Sequence, residues 1–161
     1  MVNLKIEFYL KIVLLFSLVS LISAYFIEHV LGHQPCNLCL IERIPYGLSV
    51  ILVILAFILK KDKKFFILLL ILTFIFSLAI SVYHYGIEKG FFQESAVCDT
   101  KNFTEGLTKE DLLKQLSKKT ISCKDVTFRI LGLSLSSINI AISLLFIITL
   151  AKIFFKYEKN R

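Results

Sequence analysis

Charge is missing from four stretches of this 161-residue chain. No Asp, Glu, Lys or Arg stands between Lys11 and Glu28, between Arg43 and Lys60, between Lys64 and Glu88, or between Arg129 and Lys152. Hydrophobic residues make up 57% of the chain, above the roughly half of an ordinary soluble domain, and these runs hold the excess. Their absence of charge argues against a soluble fold. The last two runs exceed 20 residues, enough to cross a hydrocarbon core of about 30 Å at about 1.5 Å per residue. The first two hold 16 residues each, about 24 Å of helix. Lys11 can snorkel outward, and Val30 and Leu31 extend the first run past Glu28 and His29. Their shortness predicts that the segment between them sits at the membrane rim.

Other absences narrow the reading further. No clean small-x-small pair stands near Ser23-Ala24, so the first run is expected to be a retained helix, not a cleaved signal, although Lys5 and Lys11 precede it. No basic face or base-stacking motif accompanies the lysines behind the +7 net charge, so nucleic acid is not an expected partner. No internal repeat or low-complexity tract appears, and residues 1–161 are expected to form a single membrane domain. The expected class is an all-α integral membrane four-helix bundle. Its helices are placed at about 10–31, 44–59, 65–84 and 128–154, with outer loops at about 32–43 and 85–127. In the long loop, Thr108 as N-cap and Asp111 after it open a short helix. That helix presents Leu112, Leu113 and Leu116 on one face, either to the membrane surface or to the bundle top. Gly132, Ser136, Asn139 and Ser143 form a stripe of small and polar residues suited to close helix packing.

Orientation follows from lysine density and cysteine placement. Lys60, Lys61, Lys63 and Lys64 crowd one five-residue turn, and Lys152, Lys156, Lys159 and Arg161 crowd the tail. Such clusters mark the cytoplasmic side, which puts both termini there. All four cysteines, Cys36, Cys39, Cys98 and Cys123, then fall in the two outer loops and none in a helix. That distribution suits an oxidising compartment.

The strongest chemical feature is His33-Gln34-Pro35-Cys36-Asn37-Leu38-Cys39. Two residues between cysteines allow a small disulfide ring and often accompany a thiol of lowered pKa. The competing reading is half of a zinc site. Zinc needs four good ligands; His29 and His33 are candidates, but no second CxxC exists, and Cys98 and Cys123 stand 25 residues apart. No metal is assigned. Arg43 lies four residues after Cys39, where a guanidinium can stabilise a thiolate and donate to a carbonyl ligand. Pro45 is tolerable near a helix start, and Glu42 is expected to pair with Arg43 or face water. Cys98 and Cys123 fit either a structural staple or a redox pair exchanging with a partner thiol. His84, between Tyr83 and Tyr85, reads as a member of an aromatic belt, or as a group that polarises a quinone oxygen or relays protons.

Taken together, these residues resemble the DsbB family of disulfide bond formation proteins. The likeness lies in Gln34-Pro35-Cys36-Asn37-Leu38-Cys39-Leu40-Ile41-Glu42-Arg43-Ile44-Pro45-Tyr46, in Tyr83-His84-Tyr85-Gly86-Ile87-Glu88, and in Cys123 followed by Phe128-Arg129-Ile130-Leu131-Gly132. The chain departs in having no tryptophan and no proline in Gln93-Glu94-Ser95-Ala96-Val97. The resemblance implies a protein-dithiol:quinone oxidoreductase in the bacterial inner membrane. Its redox-active disulfides would be Cys98–Cys123, attacked at Cys98 by a periplasmic thioredoxin-fold oxidase of the DsbA type, and Cys36–Cys39. Cys39, Arg43 and His84 would meet the quinone, ubiquinone or menaquinone. For the oxidase of this same family's chain the known potential is about −120 mV, so an ordinary thioredoxin-like pair near −270 mV would accept its electrons uphill by roughly 7 kcal/mol. A more oxidising acceptor in the membrane is therefore required. Rival readings are a vitamin K epoxide reductase-type enzyme, a membrane protein with two stable disulfides, and a metal-handling protein.

Overall fold

The computed structural model describes residues 2–59, 63–93, 98, 122–124, 129–130 and 132–159. Among them the elements are α1 (Val2–His29), α2 (Asn37–Ile41), α3 (Arg43–Leu59), α4 (Lys63–Glu88), β1 (Arg129–Ile130), β2 (Leu133–Ser134) and α5 (Leu135–Lys159). Four stretches are long and apolar enough to cross a membrane: Ile6–His29, Asn37–Leu59, Lys63–Glu88 and Leu135–Lys156. At 22 to 26 residues they measure about 33–39 Å. The protein is an all-α membrane four-helix bundle. The expected surface helix near Thr108–Leu116 lies outside the described residues.

The helices are longer than the charge-free runs because charge marks the membrane boundary, not the end of a helix. The first span continues toward the N-terminus through Lys11 and Glu7. The loop expected at 32–43 contains α2, which runs through Glu42 almost directly into α3, so the membrane-rim segment is itself helical. α4 ends in a Schellman arrangement: Phe91 N–H donates to Gly86 O at 2.8 Å, Gly90 N–H donates to Ile87 O at 3.0 Å, and Gly90 has φ +78°. That left-handed position favours glycine. The expectation that helix four begins at 128 is corrected. Strands β1 and β2 pair antiparallel as a small hairpin, with Arg129 opposite Ser134 and Ile130 opposite Leu133. Gly132, at φ +83°, turns the chain there.

Packing proceeds around a ring. α4 and α5 share the largest contact, α1 packs on α3, α3 on α4, and α1 meets α5 only briefly. One end holds an apolar core that includes Ile6, Leu10, Val13, Val53, Phe66, Ile67, Leu70, Phe74, Phe146 and Leu150. Large side chains such as Leu15, Ile22, Ile51, Ile58, Leu72, Phe76 and Leu145 point outward. An aqueous protein could not carry such a continuous apolar surface, whereas hydrocarbon solvates it.

Farther along, the seam becomes polar. Ser49 on α3, Ser77 and Ser81 on α4, and Ser136, Asn139 and Ser143 on α5 are all buried. Ser143 Oγ donates to Ser77 Oγ across the α4–α5 contact at 3.2 Å. The packing role expected of Ser143 is therefore met. Small residues let these backbones approach, and their hydroxyls bond across helices.

Candidate functional site

The site is built where three helical stripes of three-four spacing converge. On α2 and α3 the stripe is Cys39, Glu42, Tyr46 and Ser49; on α4 it is Ser77, Ser81, His84 and Glu88; on α5 it is Ser136, Asn139 and Ser143. Such spacing keeps one face of a helix turned to its neighbours.

Cys36 caps α2, with its sulfur accepting from Cys39 N–H at 3.3 Å. The two sulfurs of the CxxC are free thiols 2.8 Å apart. His84 reaches Cys36 Sγ through Nε2 at 3.5 Å and Glu42 Oε1 through Nδ1 at 3.0 Å. Glu42 Oε2 accepts from Asn139 Nδ2 at 3.3 Å, and the same amide donates to Ser81 Oγ at 2.7 Å. Asn139 Oδ1 accepts from the Tyr46 hydroxyl. A thiol, an imidazole, a carboxylate, an amide and a phenol thus form one buried chain.

Two expectations change here. Glu42 neither pairs with Arg43 nor faces water; it is 8% exposed and turned inward. Arg43 instead donates to Glu28 Oε2 at 2.6 Å and lies 5.2 Å from the centre of the Tyr25 ring. His84, 3% exposed, is a bonded member of the interior. Asn139, read from sequence as packing, joins the same network.

The Cys36 thiol is strongly acidified. The hydrogen bond from the Cys39 thiol is the largest influence, burial opposes it, and the His84 ring adds to it; the pKa falls from 9.0 to about 5. Since the thiolate is the reactive form, alkylation of reduced Cys36 by iodoacetamide should stay nearly flat from about pH 8 to 6 and halve near about pH 5, whereas an ordinary cysteine loses about tenfold per unit below its pKa of about 8.5. Mass-spectrometric rates measured at each pH decide this. A tenfold drop per unit between pH 8 and 6 would contradict the acidified thiol.

Cys98 and Cys123 form a disulfide. Both are buried, and they share one apolar cluster with Cys36, Leu38 and Ile87. Cys39 packs at the margin of that cluster and also lines a cavity of about 340 Å³. The cavity lies between α1 and α5, the least closely packed neighbours of the ring. Phe16, Ile27, Ile138 and Ile142 supply apolar walls, and Cys39, Glu42, Arg43, Tyr46 and Asn139 supply a polar end. His84 is not part of this wall; it stands behind Cys36. Of the two cysteines of the CxxC, Cys36 is the one buried in the cluster of the second pair, and Cys39 is the one that borders the cavity.

Glu42 and Asn139 are the residues that sequence reasoning missed. The available signal was periodicity: each lies on a largely inward-facing stripe at intervals of three or four.

Comparison with known proteins gives a consistent picture. An uncharacterized protein of Rickettsia prowazekii (strain Madrid E), RP370, is 29% identical over 147 residues, covering 90% of this chain and 86% of that protein. The family model described as disulfide bond formation protein DsbB matches residues 7–153, which include the CxxC, Glu42, Arg43, His84, Asn139 and the second cysteine pair. With four membrane-spanning helices and two neighbouring cysteine pairs, this chain belongs to the DsbB family of disulfide bond formation proteins.

Proposed function

We propose that this protein is a protein-dithiol:quinone oxidoreductase of the bacterial inner membrane, with both termini cytoplasmic and the cysteine end of the bundle periplasmic. A DsbA-type thioredoxin-fold oxidase delivers electrons at Cys98, they pass from Cys98–Cys123 to Cys36–Cys39, and Cys39 is the exit. The observation that carries this reading is that the CxxC bridges the second cysteine pair and the cavity. Cys36 shares a buried cluster with the second pair, and Cys39 lines the cavity.

The residues of that cavity fit a quinone. Its size suits one small ring system, its walls are mostly apolar, and its polar end offers donors for a carbonyl oxygen. The weak α1–α5 contact leaves a lateral path on the hydrocarbon side, where a prenyl tail can remain. Arg43, Cys39 and the surrounding apolar side chains would hold the ring. A bound quinone supplies a two-electron, two-proton acceptor at that point.

The chain's own residues organise the protons. His84 Nε2 is placed to receive the Cys36 proton, and Glu42 at Nδ1 both orients the ring and reaches the cavity wall. This carboxylate–imidazole pair links the thiol to the cavity without requiring bulk water in the seam. Arg43, fixed by Glu28 and Tyr25, lines the cavity together with Cys39 and offers charge-assisted donors to a carbonyl oxygen held there.

The direct test is stopped-flow absorbance of a soluble quinone mixed with purified protein and a reduced thioredoxin-fold oxidase. Thiol-dependent quinone reduction is expected; none, beside a working relative, refutes the enzyme reading. Trapping the partner on Cys123 in place of Cys98 would reverse the entry assignment. In the same assay Arg43→Ala should raise the apparent KM for quinone about tenfold or more, the loss of one charge-assisted hydrogen bond of about 1.5–3 kcal/mol. An unchanged KM removes Arg43 from the quinone site.

A further inference from the structure

Tetrahedral zinc holds sulfur at about 2.3 Å and imidazole nitrogen at about 2.0–2.1 Å. Those bond lengths separate neighbouring sulfur and nitrogen ligands by about 3.5 Å, and two sulfurs by about 3.8 Å. Cys36 Sγ and His84 Nε2 stand 3.5 Å apart. The ligand atoms of Cys36, Cys39 and His84 all lie within 4.8 Å of one another. The two sulfurs, at 2.8 Å, need only open by about 1 Å to reach zinc-like spacing, and Cys39 borders a cavity that gives it room.

The surroundings of the imidazole match those of a metal ligand. Glu42 Oε1 sits 3.0 Å from Nδ1, which keeps a proton on that nitrogen, and Nε2 is directed at Cys36, open to a cation once the proton it takes from Cys36 has left. A carboxylate behind a histidine is the usual outer support of a bound metal. Glu88 Oε1, 3.7 Å from Nε2 and on a buried side chain, or a water from the cavity, can take a fourth position. His29 and His33, the histidines nearest in sequence, are not the ones brought to the pair; His29 Nδ1 turns back to Tyr25 O at 3.1 Å.

From this geometry we infer that the reduced Cys36–Cys39 pair and His84 form a site for a thiophilic divalent cation of the zinc type. The site exists only in the dithiol state. Binding moves no electrons and releases two protons to solvent, one from the Cys39 thiol and the one that Cys36 and His84 Nε2 share, leaving a dithiolate–imidazole complex. The oxidised pair offers no thiolate, which is the form that ligates metal. A cation so held withdraws both sulfurs from exchange and stops the enzyme in its reduced state. The site is thus a redox-dependent inhibitory one, distinct in chemistry from the quinone cavity beside it.

The test uses the reduced full-length protein in detergent, freed of reductant and titrated with Co²⁺ in the absence of quinone and partner. One equivalent should give a thiolate-to-cobalt charge-transfer band and the visible d–d bands of a tetrahedral site, and both should vanish when Zn²⁺ is added. Cys98→Ser/Cys123→Ser should keep the bands, Cys36→Ser should lose them, and Glu42→Gln should weaken binding about 10–100-fold. X-ray absorption of the wild-type cobalt complex should show two sulfurs and one imidazole, so the assignment does not hang on a folded His84 variant. Absence of the sulfur band, its persistence in Cys36→Ser, its appearance in oxidised protein, or a shell without imidazole would each overturn the inference. Because this readout needs neither quinone nor oxidase, it stands or falls separately from the enzymatic reading.

Discussion

Cys39→Ser should abolish steady-state quinone reduction, to below about one-thousandth of the native rate, since a serine hydroxyl does not ionise near neutral pH and cannot form a disulfide. Such a loss corresponds to about 4 kcal/mol of barrier. The expectation comes from position as much as from chemistry. Cys39, not Cys36, lines the cavity, so no neighbouring thiol can take over its exit role. The second pair should remain intact in this variant, because Cys98–Cys123 packs against Cys36 and Leu38 rather than depending on the Cys39 sulfur. The partner oxidase should therefore still be oxidised once per protein molecule, after which the reaction stops. Cys36→Ser should be equally dead in turnover for a different reason: it cuts the link between the pairs while leaving a thiol at the cavity. Quenched-flow alkylation, read by mass spectrometry, separates the two patterns. If Cys39→Ser kept more than about a tenth of native turnover, the exit assignment would be wrong.

The bundle was legible in the sequence because membrane solvation is a severe constraint. A hydrocarbon core admits no unpaired charge and no open backbone, so four charge-free runs could mean little else. What the runs did not show was where each helix ends. Lys11 and Glu7 lie within α1 and Glu88 closes α4, since a helix continues past the membrane edge until something turns it. Gly90 and Gly132 did the turning at two such places, one ending α4 and the other making a hairpin before α5.

The site was legible in part. Cys36-Asn37-Leu38-Cys39 announced itself by spacing, and Arg43 by its distance of one turn from Cys39. The inward turn of Glu42 was hidden because adjacent Glu42 and Arg43 looked like a local ion pair on a short helix. In the fold the two diverge by about 100° of helical rotation. Arg43 goes to Glu28 on α1 and Glu42 to His84 on α4. Which partner each takes depends on which helix lies on which side, and that is a property of the ring order, not of local sequence. Asn139 was obscured in the same way: among serines it read as packing, and only the approach of α3 gives its amide Tyr46 and Glu42 to bond.

Glu42→Leu should be the most destabilising single change in the bundle, by about 3–5 kcal/mol, the usual cost of removing one member of a buried polar or charged pair. The leucine is close in volume, so the loss does not come from a cavity. His84 Nδ1 loses its acceptor, and Asn139 Nδ2 keeps only Ser81 Oγ. In the membrane seam no water stands ready to replace what was lost. Glu42→Gln keeps an acceptor oxygen and should fold, yet it cannot carry a proton between His84 and the cavity. Its turnover should fall about 100-fold or more, in the range of a lost acid–base group. A double-mutant cycle isolates the His84–Glu42 pair. Once Glu42 is gone the imidazole keeps its Nε2 contact to Cys36 but has an unpaired Nδ1, so His84→Leu added to Glu42→Leu should cost much less than it does alone. Thermal unfolding of the four proteins in detergent, followed by circular dichroism, measures that coupling. Strict additivity would show that the 3.0 Å contact between His84 and Glu42 contributes nothing to holding the helices together, and the buried proton link would lose its physical basis with it.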